Sequence, residues 1–154
     1  MKTRPDPSKT PVVKGHYPST SSCVGQQCAH DNPRMISTAR YIEERLGVDG
    51  FLRRYPPGGS YDGIQDAENL FAVCTFWLAE YLARLGKIDD AKRSFERLLE
   101  RATDLGLYAE EFDARTKRAA GNFPQAFTHV ELIRTALSLE AASRTQQSAK
   151  KKSS

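Results

Sequence analysis

Residues 70–85 read LFAVCTFWLAEYLARL. Leu70, Phe71, Val73, Cys74, Phe76, Trp77, Leu78, Tyr81 and Leu82 leave little polar surface on any side of a 3.6-residue period, which predicts a helix from about Glu68 to Leu85. A helix apolar on nearly all sides must be covered on nearly all sides, so Trp77 is expected in the core and Cys74 as a buried free thiol. Gly86 supplies a C-terminal stop, and Lys87-Ile88 make a short turn.

The cover has to come from neighbouring helices. Asp89 reads as the N-cap of a third helix, with Asp90 suited to the positive end of its dipole. Ala91, Phe95, Leu98, Leu99 and Ala102 form its stripe, and Gly106 ends it. A fourth helix is expected to begin near Asn122 and Pro124, with Asn122 as a cap and Phe127, Val130, Ile133 and Leu137 on its buried side. Upstream, Asn32 caps a first helix that has Pro33 in its first turn and Ile36, Ala39, Ile42 and Leu46 on one face; Gly47 stops it. The expected fold is therefore all-α, an array of antiparallel helical hairpins in one domain over residues 32–142.

Residues 1–31 and 143–154 show no period and are rich in Pro, Ser, Thr, Lys and Gly or in Gln, Lys and Ser. Both read as disordered arms. They also carry the basicity. The chain of 154 residues has a net charge of +4, yet residues 33–142 hold 15 Lys and Arg against 17 Asp and Glu. Basic arms without a basic face are poor evidence for a nucleic-acid surface, and no nucleic-acid partner is expected. Cys23, Cys28 and His30 give C-x4-C-x-H, looser than a zinc site and short of ligands, so no metal is assigned. MKTRPDPSKTP has no apolar run behind its basic residues, and Glu80 and Arg84 interrupt the longest apolar stretch. A soluble, cytoplasmic protein with no membrane partner is the expectation.

The connections between helices run long, short, long: about 20, 3 and 18 residues. Helical bundles favour 2–8, and longer connections are often functional. In an antiparallel array successive connections alternate between ends, so residues 48–67 and 106–123 should share one end. That brings Arg53, Arg54, Tyr55, Tyr61, Asp62 and Glu68 toward Tyr108, Glu110, Glu111 and Phe123. Adjacent carboxylates among aromatic side chains are either solvated loop charges or part of a sugar-cleaving site. His129 serves equally as a hydrogen-bonded structural histidine or a site residue.

Three stretches resemble glycoside hydrolase family 15, which contains glucoamylases, glucodextranases and some bacterial trehalases: GFLRRY with DGIQDAENLFAVCTFWLAEYL, LGKIDDAKRSFERLLERATDLGLYAEEFD, and GNFPQAFTHVELIRTAL. The last is the most specific. The resemblance covers about residues 33–142 and implies an (α/α)6 toroid, of which this chain would carry about two helical pairs at the C-terminal end. It implies Glu110, in Ala109-Glu110-Glu111-Phe112, as the general base of an inverting α-glucosidase or trehalase. Arg54, Tyr55, Tyr108 and Glu111 then become candidates for binding an α-linked glucoside or oligosaccharide, and no cofactor is implied. The chain departs from the family pattern at Glu68-Asn69-Leu70-Phe71, where larger side chains replace Gly-Ala.

Inverting hydrolysis needs a protonated carboxyl and an ionised one, roughly 6.5–9.5 Å apart with a water between. Glu110 and Glu111 are adjacent and cannot be that pair. The family's general acid lies in a segment without counterpart here. The chain is thus expected to be a truncated, weakly active or inactive piece, with another chain as a source of the missing helical pairs. The competing expectation is a non-catalytic helical scaffold, since LGKIDDAKRSFERLLERA resembles half a tetratricopeptide unit. Against it, no 34-residue repeat recurs.

Overall fold

The computed structural model describes residues 30–56 and 69–152. Its order is helix α1 (Pro33–Leu46), strands β1 (Gly47–Val48), β2 (Phe51–Leu52) and β3 (Leu70–Phe71), helices α2 (Ala72–Arg84) and α3 (Ile88–Leu99), strands β4 (Glu111–Phe112) and β5 (Ala119–Ala120), and helix α4 (Ala126–Lys152).

The apolar segment is the centre, as its composition demands. α2 lies between α3 and α4, and β2 packs on it as well. Leu70, Val73, Phe76 and Ala79 are fully buried. Each large side chain of this kind contributes roughly 1.5–3 kcal/mol on leaving water. The helix starts later than Glu68: Leu70-Phe71 are extended and belong to a sheet. Phe71 has no side chain able to cap, so the first helical N–H, that of Ala72, donates instead to the Glu110 carbonyl at 3.3 Å. The start of the core helix is thereby tied to the candidate site.

Gly86, at φ 76°, closes α2 and turns the chain directly into α3, making a tight helical hairpin. The cap of α3 is Lys87, correcting Asp89; Asp89 and Asp90 occupy the first turn, where they still face the positive end of the dipole. Ile88, Ala91 and Leu98 are buried, whereas Leu99 is exposed. α3 also ends at Leu99, well before Gly106. Beyond it the Thr103 hydroxyl accepts from the Leu107 N–H at 3.1 Å and the Thr103 N–H donates to the Leu107 carbonyl at 2.9 Å. This local bonding competes with further helix.

α4 differs most from expectation. It begins at Ala126 and runs through Lys152, so residues 143–152 are helix rather than a disordered arm. Its buried face carries Thr128, Glu131, Thr135 and Leu139, while Phe127, Val130, Ile133 and Leu137 are exposed. The reason is in the contact with α2. Thr135 Oγ1 donates to the Phe76 carbonyl at 3.2 Å. Glu131, only 2% exposed, pairs with Arg134, which reaches Glu80 on α2 at 3.5 Å. Arg84 completes the network on Glu80 at 2.6 Å. Polar bonding fixes this face together with Leu139, which joins the apolar cluster of Leu82, Ala83 and Ala91. Trp77 correspondingly stands at the surface, 38% exposed, edge-on to Phe127 at 6.2 Å.

α1 has the predicted ends: the Asn32 side chain accepts from the Arg34 N–H at 2.9 Å, and Gly47 follows Leu46. None of its residues is buried, and Ile42 of the expected apolar face is exposed. The approach to the helix is anchored by His30, whose carbonyl accepts from Tyr81 Oη at 3.2 Å.

The all-α expectation needs a second correction. Helices dominate, but two small antiparallel sheets are present: the β1–β2 hairpin and the three-stranded β3–β4–β5. The hairpin turns on Asp49-Gly50, both at positive φ, a two-residue arrangement matched to strand twist. The N-terminal arm, apart from His30 and Asp31, lies outside the described residues, as do Cys23 and Cys28. No helix of the described residues is long and apolar enough to cross a membrane.

Candidate functional site

The sheets are where the long connections meet. In β3–β4, Leu70 stands opposite Phe112 and Phe71 opposite Glu111; Arg53 bridges to Leu70. β5 pairs with β4 on its other edge, Glu111 opposite Ala120. The Phe51 and Phe112 rings meet edge to face at 4.9 Å. Lys117 lies over the Phe51 ring and 3.5 Å from Asp49. Residues 48–56 and 106–123 therefore come together beside the start of α2, as the alternation of loop lengths predicts. Tyr61, Asp62 and Glu68 lie outside the described residues.

Glu110 immediately precedes β4 and is half-buried. Its backbone N–H donates to the Asn122 carbonyl at 2.9 Å. Its Oε2 accepts twice from Asn122, from Nδ2 at 2.8 Å and from the backbone N–H at 3.2 Å. Gly121 makes this approach possible. It sits at φ 70°, and a Cβ there would lie 3.1 Å from both Cβ and Oε2 of Glu110. Asn122 is therefore not a helix cap; it holds a carboxylate.

Glu111 is held by a different set of partners. Phe112 is buried, and the strand pleat turns Glu111 to the opposite face. There Asn69 Nδ2 donates to its Oε2 at 3.2 Å, and Arg54 stands 3.7 Å from its Oε1. The Arg54 guanidinium also lies over the rings of Tyr55 and Phe71, at 4.7 and 4.9 Å. Arg54, Tyr55 and Glu111 thus form one cluster, joined by Asn69, which the sequence marks only as a departure from the family pattern.

Tyr108, a candidate for binding the sugar, lies in the core cluster. It is 3% exposed, its ring against Phe76 and His129, and burial pushes its phenol above the usual value. Its backbone does the holding: the N–H donates to His129 Nε2 at 3.2 Å and the carbonyl accepts from the Gln125 N–H at 2.9 Å. His129 Nδ1 is 2.7 Å from the Gln125 carbonyl. The ring thus bridges the Tyr108 N–H and the Gln125 carbonyl, tying the 108 loop to the first turn of α4. Asp113 is engaged as well. It accepts from Thr116, backbone and hydroxyl, and from the Arg115 N–H, which hold its carboxyl below the usual value.

Glu110 is then a carboxylate with one oxygen anchored; its Oε1 makes no hydrogen bond among the described residues. Among the described residues no group of three or more His, Cys, Asp and Glu side chains is placed to hold a metal ion.

The sequence profile of glycosyl hydrolases family 15 matches residues 6–137. The chain belongs to this family. The match starts well before residue 33, where the resemblance read from the sequence begins. Relatives in this family include a trehalase of Mycolicibacterium smegmatis, 47% identical over 103 residues, which are 67% of this chain and 15% of the relative. A trehalase of Mycobacterium tuberculosis is 46% identical over 103 residues, again 67% of this chain and 15% of the relative. A trehalase of Thermoplasma acidophilum is 42% identical over 113 residues, 73% of this chain and 19% of the relative. The chain spans less than a fifth of the length of these curated relatives. No solved structure matches it significantly.

Proposed function

We propose that the chain carries the general-base side of an inverting α-glucosidic site of the trehalase type, with Glu110 as the base. The supporting observation is the state of its carboxylate: Oε2 is fixed by Asn122 while Oε1 makes no bond among the described residues. In the reaction Oε1 takes a proton from water, and the water oxygen bonds to the anomeric carbon. The glycosidic C–O bond breaks, and the leaving oxygen takes a proton from a carboxylic acid across the site. Glu111 is engaged by Arg54 and Asn69 and Asp113 by its own turn, so that acid comes from outside the described residues. Arg54 and Tyr55 form the wall offered to the sugar; Tyr108 supports the loop from beneath. Trehalose is the favoured substrate because the similar proteins are trehalases.

A general base alone contributes about 10²–10⁴-fold, so the isolated chain should hydrolyse slowly. Glucose release from trehalose and from maltose by the full chain tests this. Slow release, faster from trehalose and abolished in Glu110→Gln, is the expected result. Equal rates for the two chains would remove Glu110 from the chemistry. No release at any concentration would remove the autonomous activity.

A further inference from the structure

Every grip on the Glu110 carboxylate among the described residues comes from Asn122, which lies in the GNFPQAF stretch, carries no assigned role there, and is read from the sequence as a helix end. An sp² carboxylate oxygen offers two in-plane lone pairs. Both donors of Asn122, the side-chain amide at 2.8 Å and the backbone N–H at 3.2 Å, converge on the same oxygen, Oε2. The reverse bond, Glu110 N–H to the Asn122 carbonyl at 2.9 Å, keeps the two backbones in register. Gly121 at φ 70° leaves the space through which they approach.

We propose that Asn122 is the positioning residue of the base: by occupying Oε2 it makes Oε1 the oxygen that receives the proton from water, and it fixes the direction from which that water is deprotonated. This rests on the assignment of Glu110 as the base. Donors that hold a reacting group before substrate arrives lower the cost of ordering it, and misplacement on the order of 1 Å can cost about 10²-fold in rate. Asparagine suits the task because its amide donates across a short side chain. Aspartate of the same shape would set an acceptor against Oε2, and alanine would leave the backbone N–H as the sole donor.

Two measurements on the full chain test this. In ¹H–¹⁵N spectra of the wild type, the Asn122 side-chain and backbone amide signals should move together as acid protonates the carboxylates. Those movements should vanish in Glu110→Gln; movements that persist unchanged there, or none in the wild type, overturn the contact. In kinetics on trehalose, Asn122→Ala and Asn122→Asp should lower kcat by about 10²-fold with KM within twofold and an unchanged melting temperature. Loss that appears in KM, or that follows the melting temperature, overturns a positioning role. The two readings separate cleanly. If Glu110→Gln is inactive while both Asn122 variants turn over like wild type, the positioning role alone falls. If Glu110→Gln turns over like wild type, the base assignment falls and takes Asn122 with it.

Discussion

Glu110 and Glu111 are neighbours in the chain, yet Asn122 holds the carboxylate of the first while Arg54 and Asn69 hold that of the second. The cause is local. β4 pairs on both edges, Phe112 is committed to the core, and the pleat sends Glu111 to the other face. Glu110, just outside the strand, is left to meet the 121–122 corner.

Gly121→Ala should disturb that corner. The left-handed backbone costs an L-residue about 1–2 kcal/mol, and the added Cβ would press on Glu110 at 3.1 Å. Urea denaturation should show a loss of about that size, and glucose release should fall further than the small unfolded fraction explains. A variant of wild-type stability would mean that the corner relaxes freely.

The network Arg84–Glu80–Arg134–Glu131 ties α2 to α4. Arg134→Ala leaves Glu131, 2% exposed, without its partner. Breaking a buried pair costs about 3–5 kcal/mol, and the partial exposure of Arg134 places the expected loss at the low end. Adding Glu131→Gln to Arg134→Ala should recover part of it. A double-mutant cycle by chemical denaturation measures the recovery, and strict additivity would rule out the coupling.

The register of α4 is open to a direct contrast. Ile133→Glu and Leu137→Glu, on the exposed side, should each change stability by less than about 0.5 kcal/mol. Leu139→Ala, on the buried side, should cost about 2–5 kcal/mol. Equal and large losses at all three would restore the face that apolar periodicity predicts.

The 113–118 turn should respond to acid. Thr116 and Arg115 lower the Asp113 carboxyl, so its folded value lies below its unfolded one. Its contribution is present above the ordinary aspartate range and is lost as pH falls through the depressed folded value. The Arg115 and Thr116 amide resonances should therefore shift at lower pH than an ordinary aspartate would dictate. In Asp113→Asn that step should be missing.

Much of the helical frame is legible because its signals are local. Asn32-Pro33 and Gly47 mark the ends of α1, and Gly86 closes α2. The Asp49-Gly50 hairpin is also a local signal, flanked by Val48 and Phe51, which a reading of residues 48–67 as one long connection passes over. Two-residue strands such as β3 and β4 are too short to show a period, so they are invisible until the connections meet. The buried face of α4 is hidden for another reason. Periodicity counts apolar residues, whereas this face is built from Thr135 bonding a backbone carbonyl and Glu131 bonding an arginine.

By itself the sequence determined that α2 is central, since a segment apolar on nearly every side has no stable place but between other elements. It also determined that the long connections converge, because a short turn joins α2 to α3 and chain direction alternates. Only the tertiary structure decided which side of α4 is covered, that Tyr108 is core, and that Asn122 rather than any nearby residue holds Glu110. Those outcomes depend on hydrogen bonds between residues far apart in the chain. Such bonds form only where packing brings donor and acceptor within about 3 Å, and no periodicity along the chain encodes that distance.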